Sequence, residues 1–307
     1  MIDQFYISGR QTTCYSRLFV PTGSANQWSE YVKPRNTSML YIMACGGAGG
    51  GGYGGTQANG AIGYGGGSGG SSGLCRILIS SFFLPDVFYV QPGQGGAGGI
   101  NSSSTNGVDG TSSYVSLGSY PAGSVANLTA AANTIIYCQG GGHGGSGGSG
   151  AGTAGNAGNV SVVTSMIAGG YATNFFANVG NVGFIAGAGA AGTATTASST
   201  VPTCGGGSGG GQSTTPANFA GGNVTASGRL PTITAGAAGG GNGGHGVTLF
   251  SPFMSCGGAG AGSNYAATGG IGGDGGWGSG GGGGGSGSVN GGNGGKGGDG
   301  FVLILAW

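Results

Sequence analysis

Residues 269–307 read GGIGGDGGWGSGGGGGGSGSVNGGNGGKGGDGFVLILAW. Taken in threes from Gly269, the bulky members Ile271, Asp274, Trp277, Ser286 and Val289 share one phase. From Asn290 the phase slips by one, and Asn290, Asn293, Lys296 and Asp299 hold the new register. A period of three fits neither an α-helix nor a β-strand; it fits an extended left-handed helix with three residues per turn. The slip at Val289 and Asn290 marks a turn between two such rods, and 301–307 reads as a closing β-strand. Glycine in two of three phases leaves two faces of a rod bare, so neighbouring backbones can approach closely. The tract 280–285, glycine throughout, is expected to be surrounded on every side.

The same code recurs upstream. Gln94, Ala97 and Ile100 are separated by glycine pairs, as are His143 and Ser146, and Asn242 and His245. After a slip near Ala151 it inverts, with Gly152, Gly155 and Gly158 as the regular members. Glycine accounts for 86 of the 307 residues. Ordering glycine rather than alanine costs roughly 0.5–1 kcal/mol per residue, so the handicap runs to tens of kcal/mol. Amide-to-carbonyl bonds between packed rods, with weaker Cα–H···O contacts, are the offset the sequence offers. Collagen is disfavoured, because proline is scarce (9 residues) and the glycine register keeps slipping.

With 7 basic and 6 acidic residues, a net charge of +1 and no basic cluster, the chain has no electrostatic footprint for nucleic acid. No apolar run approaches membrane-spanning length, and residues 1–6 lack a signal-peptide core. The expectation is a product that matures in a cytoplasm, without membrane insertion.

Two regions are expected. Residues 1–30, the least glycine-rich, form an N-terminal attachment or assembly segment with β-prone runs at 5–7 and 15–20. Residues 31–307 form a glycine-rich domain closed by strand 301–307. Within it, 33–37 reads as a turn, 39–44 as a strand ending at Cys45, and 74–80 and 87–90 as a strand pair around Leu84-Pro85-Asp86. Cys45, Cys138, Cys204 and Cys256 each sit where an apolar or turn segment passes into glycine. Segments 101–128, 171–184 and 212–230 read as loops rich in serine, threonine, asparagine and aromatics. No segment shows an amphipathic helical period. The fold class is therefore all-β and irregular: packed polyglycine II helices linked by short strands and loops, with essentially no α-helix.

The order Trp28, Lys33-Pro34, strand 39–44, Cys45-Gly46-Gly47-Ala48-Gly49-Gly50, then Leu84-Pro85, 89–99 (YVQPGQGGAGG) and 297–304 (GGDGFVLI) resembles the glycine-rich domains of bacteriophage tail-fibre and other virion proteins. The likeness spans roughly 28–307 in scattered pieces. In that family, tail-fibre tip adhesins are built from packed polyglycine II rods with exposed variable loops that touch the host. Loops here are longer and rods fewer than in a pure adhesin tip. The resemblance implies a virion location, other virion proteins and a host surface receptor as partners, and a homo-oligomer, a trimer by analogy with fibres and spikes.

Motifs for other chemistry are weak. Residues 65–70 satisfy G-x-G-x-x-G, but such a match is nearly automatic in this composition, and no βαβ unit surrounds it. Neither Lys33 nor Lys296 is followed by serine or threonine, so a Walker A loop fails. Residues 294–302 fit the calcium nonapeptide GGxGxDxUx, with 269–277 a near match. Their offset of 25 residues is no multiple of nine, so the two cannot share ions as a roll requires. No C-x-x-C or H-x-x-x-H spacing accompanies His143, His245 and the cysteines. The cysteines read as small apolar fillers at rod ends, with disulfides left open. Two histidines in glycine tracts and six scattered carboxylates give no nucleophile, base and orienting group within reach. The expectation is no enzyme, no cofactor and no metal.

What remains is surface. Tyr53, Tyr64, Tyr171, Phe175, Phe176, Phe184, Tyr265 and Trp277 are candidate exposed aromatics, suited to sugar or protein contacts. The competing reading packs half or more of them over the rods as a lid. Three functions follow: a virion scaffold that displays loops for host attachment, a purely architectural capsid, vertex or filament protein, and an ice-binding protein. The last needs a flat threonine, alanine and serine face, whereas the outward phase reads Ile, Asp, Trp, Asn, Lys.

Overall fold

The computed structural model describes residues 14–23, 27–101, 105–118, 134–148, 152–158, 160–162, 172–178, 183–184, 189–197, 202–225, 229–250 and 253–307. Among them there is no α-helix, only strands, one short 3-10 turn at Ser81–Phe83 and extended rods. The strands are β1 (Tyr15–Phe19), β2 (Ser29–Val32), β3 (Met39–Cys45), β4 (Leu74–Ser80), β5 (Val87–Gln91), β6 (Ser113–Ser116), β7 (Thr134–Cys138), β8 (Val160–Val162), β9 (Ala172–Asn178), β10 (Thr195–Thr196), β11 (Val224–Thr225), β12 (Thr248–Phe250), β13 (Phe253–Ser255) and β14 (Phe301–Ala306).

Two five-stranded sheets, ordered β1-β14-β3-β4-β9 and β2-β5-β6-β7-β8, face each other. Strand alternation sends Leu40, Ile42, Ile77, Ile79, Val302 and Ile304 of the first sheet inward. They meet Phe88, Val90, Val115 and Ile136 of the second in one buried core. Strands β1 and β2 are part of this sandwich, since β1 pairs with β14 and β2 with β5. The strand pair expected from 74–80 and 87–90 is corrected: β4 lies in the first sheet and β5 in the second.

Seven rods, 46–55, 64–73, 93–99, 105–111, 140–147, 152–158 and 290–300, are continuations of these strands. β3 and β4 pair from Met39 opposite Ser80 to Cys45 opposite Leu74. The same register then runs on into glycine, with the amides of Gly46, Gly49, Gly52 and Gly55 donating to the carbonyls of Gly73, Gly70, Gly67 and Tyr64 at 2.8–3.1 Å. Likewise β14 against β3 extends as Ala48 to Gly298, Gly51 to Gly295 and Gly54 to Gly292, each 2.9 Å. Where a central strand bonds at every second residue to each of two neighbours, a rod bonds at every third residue to each neighbour. Rod 46–55 thus donates to 64–73, 105–111 and 292–298 and accepts from 96–99, 141–147 and 281–287. Side chains hold packed sheets about 10 Å apart; without them the layers close to hydrogen-bonding distance and the two sheets become one array.

The tract 280–285 realises the expectation for an all-glycine run. Its six amides donate in turn to Cys204, Gly49, Gly273, Gly207, Gly52 and Gly270. Its six carbonyls accept from Gly258, Gly69, Gly295, Ala261, Gly66 and Gly292. Every polar backbone group is paired, and six rods surround it. At the sheet end, a second apolar cluster of Cys204, Val224, Leu230, Ile233, Cys256 and Ala259 closes the rods that lack a strand of the sandwich beneath them.

The expected loops 101–128, 171–184 and 212–230 are corrected in part. They contain rod 105–111 with β6, edge strand β9, and rod 218–224 with β11. Their remaining residues 102–104, 119–128, 171, 179–182 and 226–228 lie outside the described set, as does the run 5–7.

Candidate recognition surface

Rods that leave the sandwich must turn back, and the turns gather at the far end. At ~3.1 Å per residue, rod 46–55 carries its turn about 28 Å from the sheets. Bonds between rod ends stitch these turns together. Gln57 N donates to Gly287 (3.1 Å), Gly63 N to Gln212 (2.8 Å), Asn264 N to Ser286 (2.9 Å) and Gly239 N to Ser263 (2.9 Å). Side chains add more: Gln57 Nε2 donates to the Gly148 carbonyl (3.2 Å), and Tyr265 N donates to Asn218 Oδ1 (2.6 Å).

This free end carries no charged side chain in its described turns 56–63, 212–218, 237–241, 264–268 and 286–290. It exposes Ile62 (47%), Ile100 (51%) and Val289 (60%) among amides, hydroxyls and glycine. Charge lies elsewhere. Arg17, Glu30, Lys33, Arg35, Arg76 and Asp86 belong to the sheets and their turns, Arg229 is exposed beside Leu230 of the second apolar cluster, and Asp109, Asp274, Lys296 and Asp299 line the flanks of the rods.

On the flanks, a perimeter amide faces no further rod, and a side chain of the adjacent rod takes its bond. Asn242 Oδ1, His245 Nδ1 and Thr248 Oγ1 accept from the amides of Ile271, Asp274 and Trp277 at 2.9–3.0 Å. Asp109 Oδ1 and Asn106 Oδ1 do the same for His143 (2.7 Å) and Ser146 (2.8 Å). Asp274 Oδ1 serves Lys296 (2.7 Å), and Asp299 Oδ1 serves Gly95 (2.8 Å). The outward phase of the triplet code is thus rich in short acceptors because it caps the array. Sequence reading left these residues without a role; the signal was their recurrence every third position opposite a second triplet tract.

The candidate aromatics scatter. Tyr53 is corrected: it is fully buried at a rod end, its hydroxyl donating to Asn101 Oδ1 (2.7 Å) and lying 2.9 Å from Thr56 Oγ1. Tyr64 and Tyr265 are half-buried at the free end. Phe184 is half-buried beside Ser68, where its amide donates to Ser68 Oγ (2.7 Å) and its carbonyl accepts from Ser68 N (3.1 Å). Phe176 pairs with Arg76 on β9, and Phe175 falls at the irregularity between Arg76 and Ile77. Tyr171 lies outside the described residues. Trp277 is half-buried at the sheet end, its ring 5.4 Å from Phe301 and 5.7 Å from Phe250. Among the described side chains, Tyr64 and Tyr265 lie at the free end and Trp277 at the sheet end, too far apart to form one site.

The nonapeptide 294–302 forms part of rod 290–300 and the start of β14. Its Asp299 is bonded to the Gly95 amide and to the Lys296 ammonium (2.9 and 3.1 Å). Among the described residues, no group of three or more His, Cys, Asp or Glu could hold a metal ion, and no helix is long and apolar enough to cross a membrane. Cys45, Cys75, Cys138, Cys204 and Cys256 are free, buried thiols, and Cys14 is free and exposed. Burial pushes the Cys45, Cys75 and Cys204 thiols from 9.0 up to about 12, and raises those of Cys138 and Cys256 as well. Compared with known protein families and with curated proteins, the chain matches none.

Proposed function

We propose that the chain is a non-enzymatic structural protein of a bacteriophage virion, in a tail fibre, spike or capsid exterior. Its glycine bundle holds a patch of turns out for host attachment. The observation that carries this reading is the separation of ends: a core-forming sandwich at one, and stitched, charge-free turns at the other, joined by rods cross-bonded in every lateral direction. The likeness to virion glycine-rich domains supports it. Rigid presentation matters because loops already ordered by their scaffold lose less entropy on binding. The proposed partners are other virion proteins, further copies of this chain in a trimer, and a receptor on the host surface.

The purely architectural reading draws on the exposed apolar residues Leu18, Val20 and Val32 on and beside edge strands β1 and β2. One experiment separates the two. Purified protein is tested for binding to host cells, with turns 56–63 and 264–268 replaced by glycine-serine segments. Binding lost with these turns, and kept when exposed Phe82 at the sheet end is replaced by serine, supports attachment; binding and infection indifferent to the free-end turns overturn it.

A further inference from the structure

A cleft of about 320 Å³ opens on the flank at the sheet end, between the exit of β1 (Val20, Pro21) and rods 269–277 and 290–300. Trp277 forms one wall. Its indole is fixed by edge contact with Phe250 (5.7 Å, 81°) and by Phe301 (5.4 Å, 57°), and its amide is tied to Thr248 Oγ1. Asp274, Lys296 and Asp299 also line the cleft, and Gly275, Gly297 and Gly298 add no side chains to obstruct it.

We infer that this cleft is a saccharide subsite that takes a neutral hexopyranose. A pyranose presents an apolar C–H face, which suits a rigid half-exposed indole, and a rim of hydroxyls that both donate and accept. The polar groups here match that rim. Lys296 Nζ is an exposed donor already aligned by Asp299 at 2.9 Å, and the carboxylates keep lone pairs beyond those used for Lys296 N, Gly95 N and Lys296 Nζ, with His245 Nδ1 3.4 Å from Asp274 Oδ2. Two carboxylates disfavour an anion, and the indole face beside alternating donors and acceptors suits the apolar face and hydroxyl rim of a neutral polyol. A bare glycine wall allows the close approach that a shallow cleft needs in order to bury a small ligand.

The inference does not rest on the virion reading, because the cleft lies at the opposite end of the rods from the turns proposed to meet the host. The test is a ¹H–¹⁵N titration of the full chain with glucose, galactose, mannose and their N-acetylated amino-sugar forms. Trp28, Trp277 and Trp307 supply three indole signals. Saturable shifts of the Trp277 indole and of the Lys296 and Gly298 amides with at least one sugar are expected. Trp277→Phe, which keeps the contact with Phe301, and Lys296→Met, which removes an exposed ammonium, should each weaken binding about tenfold. No saturable shift with any sugar overturns the inference, as do shifts that persist unchanged in both variants. Either outcome leaves the free-end turns and their host-binding test untouched.

Discussion

A methyl group at Gly283 would collide with the Gly66 carbonyl oxygen, and the backbone that carries this oxygen is itself held by other rods. At Gly148 the same methyl meets nothing within 4 Å. Gly283→Ala is therefore expected to destabilise the fold by more than about 3 kcal/mol, and Gly148→Ala by less than about 0.5 kcal/mol, in denaturant unfolding. Equal effects would mean that the rods are not packed as described. The thiols make a second test at this scale. A thiol-specific reagent should titrate Cys14 in the native protein and all six cysteines after unfolding. Buried thiols with values raised from 9.0 to about 12 stabilise the fold fully below pH 9 and lose that contribution as pH climbs towards 12, so stability should fall on the alkaline side. Flat stability from pH 9 to 12 would contradict their burial. The junction cysteines were legible in sequence because each ends an apolar or turn segment before glycine. Tyr53 was misread, since an aromatic amid glycines looks solvent-facing until the end of rod 290–300 is seen to pack against it.

At the scale of single elements, the period of three identified the rods in which glycine fills two phases, 269–277 and 290–299 among them, and the all-glycine run 280–285. It missed 105–111 (TNGVDGT) and 218–224 (NFAGGNV), which lie on the perimeter, where fewer phases must be bare and Gly107 and Gly110 are enough to touch rod 46–55. The caps explain what fills the other phases. Replacing Asn242 by alanine strips the Ile271 amide of its acceptor, and Thr248→Ala does so for Trp277. Each substitution should cost about 1 kcal/mol and speed hydrogen exchange at that one amide. Unchanged exchange at Ile271 and Trp277 would remove the capping role. Caps also keep perimeter amides from templating further rods, as charged residues do for sheet edges.

For the whole molecule, the sandwich was the least legible feature. Strands β4 and β5 are neighbours in sequence and suggest a hairpin, yet each pairs with strands whose partners are fixed by where the rods return. A return through glycine carries no side-chain code for which neighbour comes next, so topology followed from pairing alone. The absence of charge at the free end was readable residue by residue, but its meaning depended on knowing that turns far apart in sequence converge there. The central claim is that backbone hydrogen bonding in six directions replaces an apolar interior across the rods. Native-state amide hydrogen exchange tests it most directly. Amides of 280–285 should be protected as strongly as those of β3 and β14 and be released only by global unfolding; rapid exchange of these glycines, with the strands still protected, would contradict it.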